Sequence, residues 1–111
     1  MVEIPLEVIQ AARKEYQVVL KSGQKLAPIL YKRQVVGFYY PHKCKIGTRI
    51  GPIFVLPEFR RLGLALGVYR RIKVPLVACV RSDNPASIAL HEKAEFLRWK
   101  PYSAGWWYRR Q

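Results

Sequence analysis

The pattern of apolar and polar positions changes several times along the first half of the chain. Apolar residues recur at spacings of three and four over Ile4–Leu20, which predicts an amphipathic helix. β-Branched and aromatic residues dominate Pro28–Arg33 and Val35–Tyr40, and the short polar link between them predicts an antiparallel hairpin. Pro41–Gly47 is predicted as a basic loop. Thr48–Leu56 is predicted as a third strand, bent where glycine and proline interrupt it.

The second half alternates between helical and strand-like segments. Leu64–Lys73 is predicted as a helix, and the continuous apolar run Pro75–Val80 as a buried strand. A helix follows with Asn84 as its N-cap. Two closing strands are predicted at Phe96–Lys100 and Gly105–Arg110. The order of elements predicts an α+β fold with a mixed central β-sheet flanked by helices.

The length limits the architecture. The chain has 111 residues and a mass of 12.9 kDa, and half of its residues are hydrophobic. A chain of this size forms a small core, and residues 1–111 are predicted to form a single domain. Large barrels, long repeat arrays and multidomain enzymes are excluded.

The charge is strongly unbalanced. Twenty Lys and Arg against seven Asp and Glu give a net charge of +13. Between Glu15 and Glu58 the chain has seven basic residues and no acidic one. A surface of this kind attracts polyanions, so an acidic or nucleic-acid-associated partner fits the sequence.

The cysteines and the apolar runs indicate the compartment. Cys44 and Cys79 form no metal or redox motif, and Cys79 is expected to be a small core residue. His42 and Cys44 are only two of the four ligands that a closed zinc site needs, so no metal is predicted. The first fifteen residues lack a secretory signal pattern, and no run is long enough to span a membrane. We expect a cytoplasmic protein.

The segment from Ile53 to Leu66 is the strongest candidate for a ligand site. An extended strand leads through a tight turn with Arg60, Arg61 and Gly63 directly into a helix. The first N–H groups of a helix have no partner within it, and the helix dipole is positive there. This pattern predicts a site for a pyrophosphate group, although an ordinary strand, turn and helix with a solvated arginine pair would also have it.

Two motifs at matching spacing resemble those of one enzyme family. The segment with Arg60, Gly63 and Ala65 resembles the acetyl-CoA signature of the GNAT superfamily of N-acetyltransferases: Gln or Arg, two residues, Gly, one residue, then Gly or Ala. The segment Asn84 to Phe96 is similar to the second signature of the family, an Asn followed by a helix. The resemblance covers about two thirds of the chain, from Val35 to the last residue.

The resemblance implies a GNAT-like acyl-CoA N-acyltransferase fold with acetyl-CoA as co-substrate. An amine-bearing acceptor would attack the acetyl group directly in a ternary complex. The backbone of one strand would bind the pantetheine arm, through Ile53, Phe54 and Val55. The turn and helix start would hold the pyrophosphate, through Arg60, Arg61, Leu62, Gly63, Leu64, Ala65 and Leu66. Asn84 would contact the cofactor near its acetyl end. His91 occupies the position at which many relatives have a tyrosine that protonates the departing thiolate.

The sequence departs from the family pattern at several positions. Relatives often have a catalytic glutamate on a central strand, whereas Thr48–Leu56 and Val74–Val80 contain no acid. Water, His42 or a backbone group would have to replace that base. Glu95 stands where the family has glycine. The alternative function is therefore a catalytically degenerate basic module that binds nucleic acid or an acidic protein.

Two further features leave their roles open. His91 could be a thiolate acid or a packed histidine. The C-terminal segment combines aromatic and basic residues that could stack bases or close a sheet edge. These residues are Trp99, Tyr102, Trp106, Trp107 and Tyr108, with Arg98, Lys100, Arg109 and Arg110.

Overall fold

The computed structural model describes residues 3–16 and 24–111, which form three α-helices, one 3₁₀ turn and six strands. The helices are α1 (Leu6–Tyr16), α2 (Leu64–Arg71) and α3 (Pro85–Lys93), and the 3₁₀ turn is Pro57–Phe59. The strands are β1 (Ala27–Tyr31), β2 (Gln34–Cys44), β3 (Gly47–Val55), β4 (Leu76–Arg81), β5 (Leu97–Tyr102) and β6 (Gly105–Arg110).

The six strands form one mixed sheet in the order β1-β2-β3-β4-β6-β5. β3 and β4 run parallel and pair at Thr48 with Leu76 and at Arg49 with Val77. The pairs β1–β2, β4–β6 and β5–β6 are antiparallel. The predicted α+β class with a mixed sheet is thereby confirmed.

Residue contacts divide the chain into two compact units. The first unit contains Met1–Pro41 and Gly51–Ala65, and the second contains His42–Ile50 and Leu66–Gln111. The first has an apolar cluster formed by Val8, Ala12, Phe38 and Phe54. The second has a cluster formed by Tyr69, Leu76, Val80, Ala94, Phe96 and Tyr108. The single domain over residues 1–111 stays a prediction.

The first hairpin is confirmed, but its second strand is longer than predicted. Lys32 and Arg33 form the turn with φ of 49° and 68°, the left-handed pair that a two-residue hairpin loop requires. The residues after Tyr40, predicted as a basic loop, continue the strand as far as Cys44. Basic side chains do not prevent pairing when they alternate toward solvent, because context outweighs intrinsic strand preference.

Two predicted helices differ at their ends. α1 begins at Leu6 rather than Ile4 and is described as far as Tyr16, so the predicted residues 17–20 lie outside the described part of the chain. α2 ends at Arg71, two residues earlier than predicted. The guanidinium of Arg110 donates there to the carbonyl oxygens of Tyr69, Ile72 (2.5 Å) and Val74 (2.9 Å). A cation that binds these carbonyls stabilises the C-terminal end of a helix.

Candidate functional site

The turn between β3 and α2 presents its backbone to solvent. After the 3₁₀ turn, Arg61 and Gly63 both adopt left-handed backbone, with φ of 65° and 75°. The residues from Arg61 to Gly63 are exposed, and α2 starts at Leu64 without an acidic residue in its first turn. The N–H groups at the start of α2 lack intrahelical acceptors, so this turn can bind an anion.

Gly63 meets two requirements of such a turn. Its φ of 75° is a conformation that costs a residue with a side chain about 1–2 kcal/mol. A Cβ built on Gly63 would find no heavy atom within 4 Å. The space beside this residue is therefore open, and a substituent here would extend into it rather than into the protein.

The side chain of Arg60 makes its contacts within the first unit. Its Nη2 donates to Glu15 Oε2 at 2.7 Å, and its Nε donates to the carbonyl oxygen of Val55 at 2.9 Å. The guanidinium also lies over the ring of Phe54, 5.6 Å from its centre. These contacts fix the turn to the end of β3 and to α1, so Arg60 acts within the fold. Arg61 is exposed, whereas the Arg60 side chain is 36% exposed and engaged in these contacts.

The predicted pantetheine strand is ordered by its neighbours in the first unit. The side chain of Phe54 is buried in the apolar cluster with 1% exposed, whereas Ile53 and Val55 are half-buried. The N–H of Leu56 donates to the carbonyl oxygen of Val36 at 2.8 Å. The Val55 carbonyl already accepts one hydrogen bond from Arg60, so a pantetheine arm would share this oxygen or use other backbone groups of the strand.

Asn84 caps the helix in the second unit, as predicted. Its Oδ1 accepts a hydrogen bond from the N–H of Ser87 at 3.1 Å, and Pro85 is the first helical residue. The side chain is exposed. Its oxygen accepts the hydrogen bond of the cap. The amide NH₂ group is not used in the cap and can donate to a ligand.

His91 lies in the core of the second unit with 6% of its surface exposed. Its Nδ1 is 2.7 Å from the carbonyl oxygen of Ser87 and its Nε2 is 3.2 Å from Tyr69 Oη. A carbonyl oxygen only accepts, so Nδ1 carries the ring proton and the Tyr69 hydroxyl donates to Nε2. Burial lowers the pKa of His91, and burial raises the pKa of Tyr69 to about 12.

This environment leaves His91 without a proton to give. The neutral ring uses its single N–H on a carbonyl of its own helix. The geometry therefore gives no support to the role of thiolate acid, which stays a prediction. The packed histidine, the other interpretation of the sequence, agrees with the burial and with the rings of Tyr69 and Phe96 at 5.2 and 5.0 Å.

A contact between Cys79 and Tyr102 was not anticipated from the sequence. Cys79 is half-buried rather than part of the core, and it pairs with Trp107 across β4 and β6. Burial and the neighbouring Cys79 thiol raise the pKa of Tyr102. The two residues are 23 positions apart, so only the pairing of strands brings them together.

Neither the family models nor the curated proteins contain a match to this chain. Membership of the acetyltransferase superfamily therefore stays a prediction. Within residues 3–16 and 24–111, no helix is long and apolar enough to cross a membrane. The same residues contain no group of three or more His, Cys, Asp or Glu side chains placed to hold a metal ion.

Proposed function

We propose that this protein is an acetyl-CoA-dependent N-acetyltransferase with a GNAT-like fold. One observation carries the proposal: the exposed turn with left-handed Arg61 and Gly63 leads directly into a helix whose first turn has no acid. Left-handed residues in such a turn direct successive N–H groups toward one point, as anion-binding loops require. The order of strand, turn and helix, with Asn84 at the start of the next helix, adds support.

The residues present fit acetyl-CoA at the pyrophosphate. The N–H groups from Arg61 to Leu66 would bind it, and the exposed side chain of Arg61 would add charge. Gly63 leaves the necessary space open. Ile53 and Phe54 would offer backbone groups to the pantetheine arm. Asn84 belongs to the second unit, and its contact with the cofactor stays what the resemblance implies.

Bound acetyl-CoA would supply the acetyl group as a thioester. A backbone N–H of the strand would stabilise the oxyanion that forms when an amine attacks the carbonyl. The chain has no carboxylate on β3 or β4, so a water molecule would take the proton of the amine. His91 is buried as the neutral tautomer, so the proposal assigns the protonation of the thiolate to solvent. The basic surface favours an acceptor that is acidic or associated with nucleic acid.

The first test compares two isosteric variants by thermal unfolding with acetyl-CoA. Gly63→Asn and Gly63→Asp both tolerate left-handed backbone, and they differ in one negative charge. Acetyl-CoA at about one hundred times its dissociation constant stabilises a protein by about 2.7 kcal/mol, a shift on the order of ten degrees here. We expect this shift in the original protein and a reduced shift in Gly63→Asn, whose side chain enters the open space but can still donate a hydrogen bond to the anion. Gly63→Asp should lose it, because its carboxylate lies where the pyrophosphate binds.

Poly-Glu at the same concentration is the control for charge alone, because inorganic pyrophosphate would itself occupy the proposed turn. Equal shifts with poly-Glu and acetyl-CoA, or equal behaviour of the two variants, would contradict a built cofactor site. A second candidate function is the basic module without turnover, favoured by the missing carboxylate. It predicts no release of CoA from acetyl-CoA with any amine acceptor, even where the thermal shift is present.

A further inference from the structure

One face of the sheet in the second unit combines aromatic rings with cations. The strand register places Arg49, Val77, Arg109 and Leu97 in one row across β3, β4, β6 and β5. The next row contains Cys79, Trp107 and Lys100. The intervening residues, such as Leu76, Val80 and Tyr108, point to the opposite side, where they form the apolar cluster with α2 and α3.

We define the aromatic face by Arg49, Trp99, Lys100, Tyr102, Trp107 and Arg109. Lys100 and Arg109 are exposed, and the other four are half-buried. Leu97, beside Arg109, is 72% exposed, so solvent reaches this side of the sheet.

Cations lie directly against the tryptophan rings of the aromatic face. The Arg49 guanidinium is 5.3 Å from the ring of Trp107. Arg109 and Lys100 both contact Trp99, at 5.0 and 4.5 Å from its ring centre. Such pairs hold the charges beside flat aromatic surfaces, so that phosphate and base of one strand could be bound together.

A basic cavity adjoins the row that contains Arg109 and Leu97, and Arg110, which also lines it, belongs to the opposite side of the sheet. The cavity has a volume of about 710 Å³, and Arg109 lines it together with Arg70, Lys73 and Arg110. Glu95 is the one acidic residue among its lining side chains. At the opposite margin of the face Asp83 is paired with Arg81 at 2.9 Å. The aromatic face itself offers three cations to a polyanion, Arg49, Lys100 and Arg109.

We propose that the aromatic face binds single-stranded nucleic acid, with phosphates at Arg49, Lys100 and Arg109 and bases stacked against Trp99 and Trp107. An acidic protein would engage the cations alone, whereas the bases of an unpaired strand can also stack on the tryptophan rings and on the arginine planes. A duplex keeps its base faces covered, so an unpaired strand is favoured. The proposal does not rest on acetyl transfer.

The test is a fluorescence titration of the full chain without acetyl-CoA. The three tryptophans are intrinsic probes, and two of them belong to the aromatic face. The ligands are a fifteen-nucleotide oligo(dT), a duplex of equal length and poly-Glu. We expect oligo(dT) to quench the tryptophan fluorescence and to bind more tightly than the other two. Its affinity should fall with salt, with a logarithmic slope of about −0.7 for each phosphate neutralised.

Arg98→Ala is the matched control for Arg109→Ala. Both residues lie on β5 or β6 and both variants lose one charge, but Arg98 stacks on Trp106 at 4.7 Å on the opposite face. Arg109→Ala should weaken binding and reduce the salt slope by about 0.7, whereas Arg98→Ala should leave the slope unchanged. Trp99→Leu should weaken binding about fivefold or more, because it removes a stacking surface.

Three outcomes would overturn the proposal. The first is equal loss of affinity in Arg98→Ala and Arg109→Ala, which would indicate attraction by net charge. The second is equal or tighter binding of poly-Glu, which would indicate an acidic protein as partner. The third is unchanged affinity in Trp99→Leu. Circular dichroism checks that each variant is folded. If Trp99→Leu does not fold, the two arginine variants still test the proposal.

Discussion

At the scale of single residues, two side chains show how contacts change the role that a motif implies. Arg60 matches the signature position for a cofactor arginine, yet its guanidinium binds Glu15 and the Val55 carbonyl. His91 matches the position of a catalytic acid, yet both of its ring nitrogens have partners in the core. In each case the residue type agrees with the motif, and the neighbours determine which atoms remain for a ligand.

The burial of His91 predicts a pH dependence of stability. Its pKa in the folded protein is lowered below the ordinary value of 6.5, so the unfolded chain binds the proton first as the pH falls. The free energy of unfolding should therefore be constant above about pH 6.5. It should then decrease, by up to about 1.4 kcal/mol per pH unit, until the pH passes the lowered pKa. Urea unfolding between pH 7.5 and 5 measures this decrease.

An NMR titration checks whether His91 causes this decrease in stability. The chain has two histidines, so the spectrum of His42→Gln identifies the resonance of His91. A His91 resonance that titrates at or above pH 6.5 in the folded protein would contradict the prediction.

At the scale of secondary-structure elements, Glu95 follows the C-cap of α3 in the left-handed conformation that glycine usually adopts there. Glu95 has a φ of 69°, its N–H donates to Glu92, and the N–H of Phe96 donates to the carbonyl of His91 at 2.9 Å. These bonds form a Schellman motif, which usually has glycine at the left-handed residue.

We expect Glu95→Gly to stabilise the protein. Removing the side chain relieves a left-handed strain of about 1 kcal/mol, which corresponds to a rise in Tm of about 4 °C or more. Glu95→Ala is the matched control, because it removes the same carboxylate and keeps the Cβ that causes the strain. Differential scanning calorimetry measures both. An equal rise in the two variants would assign the effect to the lost charge.

At the scale of the whole molecule, the net charge of +13 opposes the compact state. Screening of this repulsion predicts that Tm rises as the ionic strength increases from about 0.01 to 0.15 M, since the Debye length falls from about 30 to 8 Å. Sodium and potassium chloride should give the same thermal unfolding curve, because screening depends on ionic strength alone. A Tm that stays constant or falls would show that the basic side chains are compensated within the fold.

The sequence alone determined the features that depend on neighbouring residues. Periodicity predicted the order of the elements and the mixed sheet, and residue types predicted the hairpin and the N-cap at Asn84. The strand, the basic turn with Gly63 and the helix that follows lie where the sequence predicts them. Such signals are local, because backbone conformation and capping involve residues only a few positions apart.

The tertiary structure decided which side chains meet and which face solvent. Arg60 and Glu15 are separated by 45 positions, and Tyr69 and His91 by 22. The division of Trp106 and Trp107 between opposite faces likewise depends on the register of β4, β6 and β5. Periodicity gives the alternation along one strand, whereas pairing with other strands and helices fixes which side is buried. These long-range contacts determine whether the residues of a motif form a site.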